Sequence, residues 1–186
     1  MKEIIVIGTL HSNSTPHKEL LELVEEVGPD KVFVELSPEE LGEERRQNSI
    51  RDEMFAVYDW ARDHKLPICA FDIENDILKE GVTGNEAIFQ ELEQKSKKIL
   101  ENYSWKELNE KAPWNIPRIR ELEEELEEKY IDQEKSKERE RQILENIKNE
   151  LIEGKNLIIT GAGHLSFFEK ELPNAHFILR TNNKVG

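Results

Sequence analysis

Two short stretches hold the residues best suited to chemistry. Near its start the chain reads IIVIGTLH (Ile4–His11), and near its end it reads LIITGAGH (Leu157–His164). Each is a β-rich run followed by glycine, two small or apolar residues and a histidine. That device sets a histidine just past the carboxyl end of a strand, the edge at which open α/β sheets bind ligands. Two further apolar runs end in carboxylates, Glu35 in KVFVEL and Asp72 in PICAFD. A carboxylate against apolar surface is costly without a partner. Two histidines and Glu35 at one edge suit either of two chemistries. One is a divalent-metal site with open coordination positions. The other is a metal-free acid/base set, with a histidine as base and the carboxylate as its orienter.

Each piece also has a plainer role. A histidine after a strand is often only a hydrogen-bonding residue. Glu35 can cap the helix that Ser37-Pro38 begins, and GAG can be a turn that approaches a phosphate. GAGHL lacks the Lys-Ser/Thr that a P-loop needs after its last glycine. The repetition of the device, with Glu35 between its copies, favours a functional site. Gly8, Gly161 and Gly163 are then the places where the backbone turns tightly and approaches a ligand. Asp72 points to the same edge as Glu35; its alternative is a turn former or helix cap. His17 lies in a first helical turn, within reach of the edge, whereas His64 at a helix end and His176 at a strand start read as structural. Arg139 and Arg141, two apart in SKERERQ, cannot share a helix face. One of them can turn inward to hold an anion while the other stays solvated.

The elements that must position these residues alternate. Strands are expected at Ile4–Thr9, Lys31–Leu36, Pro67–Asp72, Asn156–Thr160 and His176–Arg180, several of them continuously apolar as in a sheet covered on both faces. A helix is expected from Pro16 to Val27, with Thr15 as N-cap and Gly28-Pro29 as its end. A second fits Ser49 to His64, with Met54, Val57, Tyr58 and Ala61 buried. The middle differs: no glycine stands between Gly84 and Gly154. Asn85–Asn102 and Arg118–Glu153 both read as helix, the second too charged to be buried all round. The fold class is therefore α/β, a mainly parallel central sheet flanked by helices in a single domain over residues 1–186, with a long charged helical insertion or arm over about 85–153. A solvated hairpin with one face on the sheet is favoured there. A lid or a dimerisation arm, and with it a homo-oligomer, is the alternative.

Composition narrows the partners. A formal net charge of -14 argues against nucleic acid or an anionic membrane surface. No apolar run approaches the roughly 20 residues of a membrane span, and MKEIIVIGTLHSN does not read as a signal peptide. The lone cysteine, Cys69, can form no intramolecular disulfide, which together with the rest points to the cytoplasm.

The order IGTLH, PDKVFVEL, an Arg-rich ERER helix and a terminal ITGAGHL resembles the TraB/PrgY/TIKI superfamily, related to ChaN-like and erythromycin-esterase-like proteins, and spans Gly8 to Leu165. The resemblance implies an α/β core of that kind and, in the TIKI branch, metal-dependent proteolysis. Its motif positions fall on Gly8, His11, Glu35, Gly161 and His164. Glu138-Arg139-Glu140 matches its acidic-Arg-acidic segment, which favours Arg139 over Arg141. The chain departs from it after Asp72, where IEN stands in place of an arginine found in many members. The implied function is a metal-dependent hydrolase of a peptide or a similar amide or ester. His11, Glu35 and His164 would bind a divalent ion (Mn, Co or Zn), one of them doubling as base. Arg139 would stabilise an oxyanion or hold a substrate carboxylate, and Gly8, Gly161, Gly163 and Asp72 would line the substrate. The alternatives are a metal-free esterase-like hydrolase using His11 or His164, and a non-catalytic protein that binds a small peptide or an anionic ligand.

Overall fold

The computed structural model describes residues 1–10, 15–42, 51–74, 77–80, 95, 98–99, 102–111 and 116–178. Five strands form one sheet: β1 (Lys2–Thr9), β2 (Lys31–Val34), β3 (Ile68–Ala70), β4 (Gly154–Gly161) and β5 (His176–Phe177). Their order is β3-β2-β4-β1-β5, and every pairing is parallel. The helices among the described residues are α1 (His17–Val27), α2 (Asp52–Asp63), α3 (Trp105–Lys111), α4 (Pro117–Tyr130), α5 (Gln133–Glu150) and α6 (Leu165–Glu171). The fold is thus α/β with a central parallel sheet flanked by helices.

The apolar strand runs are continuous because both faces are covered. Ile5, Ile7, Val32, Val34, Leu157 and Ile159 face one side, and Val6, Phe33 and Ile158 the other, following the two-residue period of a strand. On the first face, Leu20, Val24 and Val27 of α1 pack with Met54, Val57 and Ala61 of α2. On the second, Ile143 and Ile147 of α5 pack with Leu165 and Phe168 of α6. Burying each such isoleucine or leucine contributes about 1.5–3 kcal/mol. The late charged stretch therefore covers the sheet through one apolar stripe of α5. Leu122 of α4 is also buried, while most described side chains of α4 are exposed or half-exposed.

Topology places the crevice. The chain steps from β1 to β2 to β3 with α1 and α2 on the first face, then returns to β4 and β5 with α5 and α6 on the second. The helices that follow β2 and β4 consequently leave towards opposite faces. That parting opens the sheet edge between the carboxyl ends of these neighbouring strands.

Several element boundaries differ from the sequence expectation. The long helix is broken in two at Ile131 and Asp132. Asp132 is extended and its carboxylate accepts from the Glu134 and Lys135 amides, so it caps α5. Ile131 instead bridges Leu78 antiparallel, with the Asp132 amide donating to Ile77 O and the Lys79 amide to Tyr130 O. Thr15 does not cap α1. Pro16 takes the cap position, and the Thr15 hydroxyl both accepts from the Leu10 amide (2.7 Å) and donates to Leu10 O (3.0 Å). Gly28 ends α1 as expected, at φ 58° in the left-handed region, its amide on Val24 O. Strands β2 and β3 stop at Val34 and Ala70, which leaves Glu35 and Asp72 just beyond the ladder. The described part of α2 begins at Asp52, and β5 is described at His176–Phe177, with Ile178 in a turn and residues 179 and 180 of the expected strand outside the described residues. Most of the Asn85–Asn102 stretch lies outside the described residues; Lys95, Lys98 and Ile99 are helical. Among the described residues no helix is long and apolar enough to cross a membrane.

Candidate functional site

Glu35 is the centre of the site. It follows β2 directly, its amide still bonded to Ile159 O of β4 (3.1 Å), and it is 2% exposed. Its Oε2 accepts from the Thr160 hydroxyl at 2.5 Å and from the Gly161 amide at 2.6 Å. Both donors belong to the last two residues of β4, the neighbouring strand. Oε1 is 3.4 Å from His164 Nε2 and 3.9 Å from Arg51 Nη2. Glu35 does not cap the turn that follows it. Ser37 does so, in a reciprocal pair with Glu40 around the short 3-10 turn Pro38–Leu41.

His164 closes a 3-10 turn, Ala162–His164, that links β4 to α6. Its position is set by its neighbour Leu165, which is buried against β1. A Cβ on Gly8 would lie 2.6 Å from Leu165 Cδ1, so glycine at position 8 serves this close approach and needs no unusual backbone. Gly161 contributes its amide to Glu35. Gly163 has nothing within 4 Å of where a Cβ would stand, so no neighbour demands glycine there. Packing against Leu165 thus accounts for glycine at position 8, and the space beside Gly163 is open.

A second layer of charge surrounds the pair. Asp72, 3% exposed, follows β3, and its amide bonds Leu36 O. Its Oδ1 accepts from Arg139 Nη2 at 2.6 Å and its Oδ2 from Arg51 Nη1 at 3.1 Å. Arg51 Nη1 also meets Glu35 O (2.9 Å) and Glu40 Oε2 (3.3 Å). Arg141 points the other way and pairs with Glu138 and Glu145 on the exposed face of α5. The inward arginine is therefore Arg139.

These contacts set the protonation states. Burial pushes the Glu35 carboxyl up, but His164, Arg51 and the Thr160 hydroxyl outweigh it and hold the group well below the usual carboxylate range. The Glu35 charge raises the His164 imidazole above its ordinary value, against burial and the Arg139 charge. Burial lowers the Arg51 guanidinium, and Glu35, Glu40 and Asp72 more than restore it. At neutral pH the carboxylate is ionised, and the imidazole beside it is stabilised in its protonated form. Such a pair can orient a histidine and let it give and take a proton.

Glu35, His164, Asp72, Arg139 and Gly161 are thus brought together at one edge. His11 lies outside the described residues. The register puts Thr9 opposite Gly161, so β1 ends beside β4. Among the described residues no three His, Cys, Asp or Glu side chains stand together as a metal-binding group. Of the three expected ligands, Glu35 and His164 are described, and the Arg51 cation already lies 3.9 Å from the Glu35 oxygen that faces His164. His64 is structural, its Nδ1 2.7 Å from Trp60 O and its ring stacked on Trp60 at 4.3 Å. His17 Nε2 is buried without a hydrogen-bond partner among the described residues.

Four further residues escaped sequence reasoning. Arg51 and Thr160 belong to the pair itself. Asn109 and Glu53 belong to the adjoining end of β1. The Asn109 side chain pairs with both main-chain groups of Gly8, accepting from its amide (2.7 Å) and donating to its carbonyl (2.6 Å). It does the work of a neighbouring strand where β5, paired only with Ile5 and Val6, has already ended. Glu53, 1% exposed on α2, accepts from the Thr9 hydroxyl at 3.1 Å. The only legible signal was Glu53, a carboxylate on the apolar side of an amphipathic helix.

Comparison of the chain with protein-family models, curated proteins and solved structures finds no match, so the TraB/PrgY/TIKI resemblance rests on the motifs alone.

Proposed function

We propose that this protein is a hydrolase of peptide, amide or ester bonds in which His164 moves the proton and Glu35 orients it. One observation carries the reading: a buried carboxylate has one oxygen anchored by Thr160 and Gly161 and the other 3.4 Å from an imidazole that is itself a third exposed. The Nε2 proton lies towards Glu35, which leaves Nδ1 to take a proton from water. Glu35 then stabilises the imidazolium that forms, and His164 returns the proton to the leaving group. Arg139, steadied by Asp72, offers positive charge to the oxyanion that develops on the attacked carbonyl. A cytoplasmic setting and a small-molecule or peptide substrate belong to this reading.

A metal-assisted form of the same reaction is favoured by one observation, the adjacency of Glu35 and His164 beside the end of β1. It needs His11 as third donor, and a bound divalent ion would then supply an activated water and a polarised carbonyl. The Arg51 cation beside Glu35 weighs against it. Turnover of ester and peptide libraries, measured with and without chelator on protein of known metal content, tests both forms. Hydrolysis that survives chelation and disappears in His164→Ala is the expected result. Hydrolysis lost on chelation and restored by one metal selects the second form. No turnover of any substrate leaves a binding protein and overturns the hydrolase.

A further inference from the structure

We propose that Arg51 is the positioning residue of the site, holding the Glu35 carboxylate where His164 can use it. Its catalytic consequence rests on the hydrolase reading; its structural claim does not. Arg51 stands at the cap position of α2, yet its guanidinium serves three other segments. Nη1 reaches Glu35 O at the exit of β2, Glu40 in the 3-10 turn and Asp72 at the exit of β3. Nη2 lies 3.9 Å from Glu35 Oε1, the same oxygen that lies 3.4 Å from His164 Nε2. That oxygen therefore sits between two cationic partners, while Oε2 is anchored on β4.

The charges alternate in sign along the path Arg139, Asp72, Arg51, Glu35, His164, with closest approaches of 2.6, 3.1, 3.9 and 3.4 Å. Arg51 is its middle member and the only described cation that touches both Glu35 and Asp72. Its side chain is 22% exposed, so this charge is largely removed from water and its partners must compensate. Without it, Glu35, Glu40 and Asp72 face one another around a missing cation. The Glu35 carboxylate is then free to turn out of line with His164, and its Oε2 loosens its bonds to Thr160 and Gly161 as it turns. A plain surface ion pair would join two exposed groups. Here one nitrogen, Nη1, binds two strand exits and a turn while the second, Nη2, stands towards Glu35 Oε1, a two-nitrogen reach that the single ammonium of lysine does not have.

The reporter is the Gly161 amide, which donates to Glu35 Oε2 at 2.6 Å and is read by NMR without any substrate. In Arg51→Met the Gly161 amide proton is expected to move upfield and exchange faster with solvent, and in Arg51→Lys to do so part-way. If Arg51→Met does not fold, Arg51→Lys decides by the same signal. On a substrate of the wild-type protein, both variants are expected to lose kcat, by about 10²-fold for Arg51→Met, with KM within about twofold of its value. A Gly161 resonance unmoved in folded variants overturns the proposal, whatever happens to turnover. A moved resonance in a protein that hydrolyses nothing sustains the positioning role and sinks the hydrolase reading instead.

Discussion

The two ends of the sheet are built from polar side chains in different ways. At the amino-terminal edge, Asn156 is fully buried and closes main-chain groups: its Nδ2 donates to the carbonyls of Glu3, Ile152 and Gly154, and its Oδ1 accepts from the Ile152 amide. Beside it the buried Lys31 donates to the last carbonyl of α5, Glu150 O, and to the Glu150 carboxylate, both at 2.7 Å. Lys155 does the same for Val27 O of α1. At the carboxyl-terminal edge, charged side chains meet chiefly one another, around an imidazole that solvent reaches. The first pattern satisfies the groups that strand starts and helix ends leave open. The second holds buried charge that the backbone does not require, and clustered, mutually perturbed titratable groups mark functional sites.

Breaking each end should therefore give opposite signatures. Glu35→Ala removes the acceptor of Thr160 and Gly161, takes the carboxylate away from His164 and leaves Arg51 with Glu40 and Asp72 alone as charged partners among the described residues. We expect turnover to fall by about 10²–10⁴-fold and stability by roughly 3–5 kcal/mol, read by hydrolysis and chemical denaturation. Relief of an unpaired carboxylate, which the sequence made conceivable for Glu35, is not expected now that four partners are in view. Asn156→Leu should cost about 3 kcal/mol, since several buried main-chain groups lose their partner, while turnover per folded molecule stays unchanged. Equal loss of turnover in both variants would erase the contrast.

The same contrast can be sharpened within one helix. Arg139→Ala should lower turnover by about 10²-fold if its charge faces the developing oxyanion. Arg141→Ala, two residues on and paired only with solvent-exposed glutamates among the described residues, should leave turnover and melting temperature where they are. Steady-state kinetics on the two variants side by side decide it.

How much of this was legible depended on whether a signal was local. A carboxylate immediately after an apolar run marked Glu35 and Asp72, and the strand–Gly–x–x–His repeat marked His164, because strand period and strand end are written in adjacent residues. The parallel sheet followed from runs too apolar to have a wet face. Arg51 gave no sign: before Asp52-Glu53 it reads as an ordinary helix-start residue, and its partners lie 11, 16 and 21 residues away. Asn109, within the charged WKELNEK, pairs with Gly8 across 101 residues. The break at Ile131–Asp132 carried neither glycine nor proline; Asp132 as an N-cap was its only trace. Thr15 was misjudged because a hydroxyl before Pro16 suits a cap equally well until the loop from β1 comes within its reach.

A smaller effect follows from pH. The His164 imidazole is raised in the folded protein, so its contribution to stability is fully present below its ordinary value of 6.5 and lost as pH rises through the raised one. The Glu35 carboxyl is depressed, so its contribution is present above its ordinary value of 4.5 and lost as pH falls towards the depressed one. Both contributions are complete between those two values. Thermal melts should show a stability that declines by a few degrees on the alkaline side of this window, and the decline attributable to the pair should vanish in His164→Gln.

The most direct measurement of the central claim is the NMR titration of the His164 ring nitrogens in the wild-type protein and in Glu35→Gln. The account predicts a wild-type midpoint above 6.5, with the proton of the neutral form on Nε2, and a midpoint that drops when the Glu35 charge is removed. A midpoint at or below 6.5 that ignores Glu35→Gln would contradict it, and Glu35 and His164 would then be neighbours without being partners.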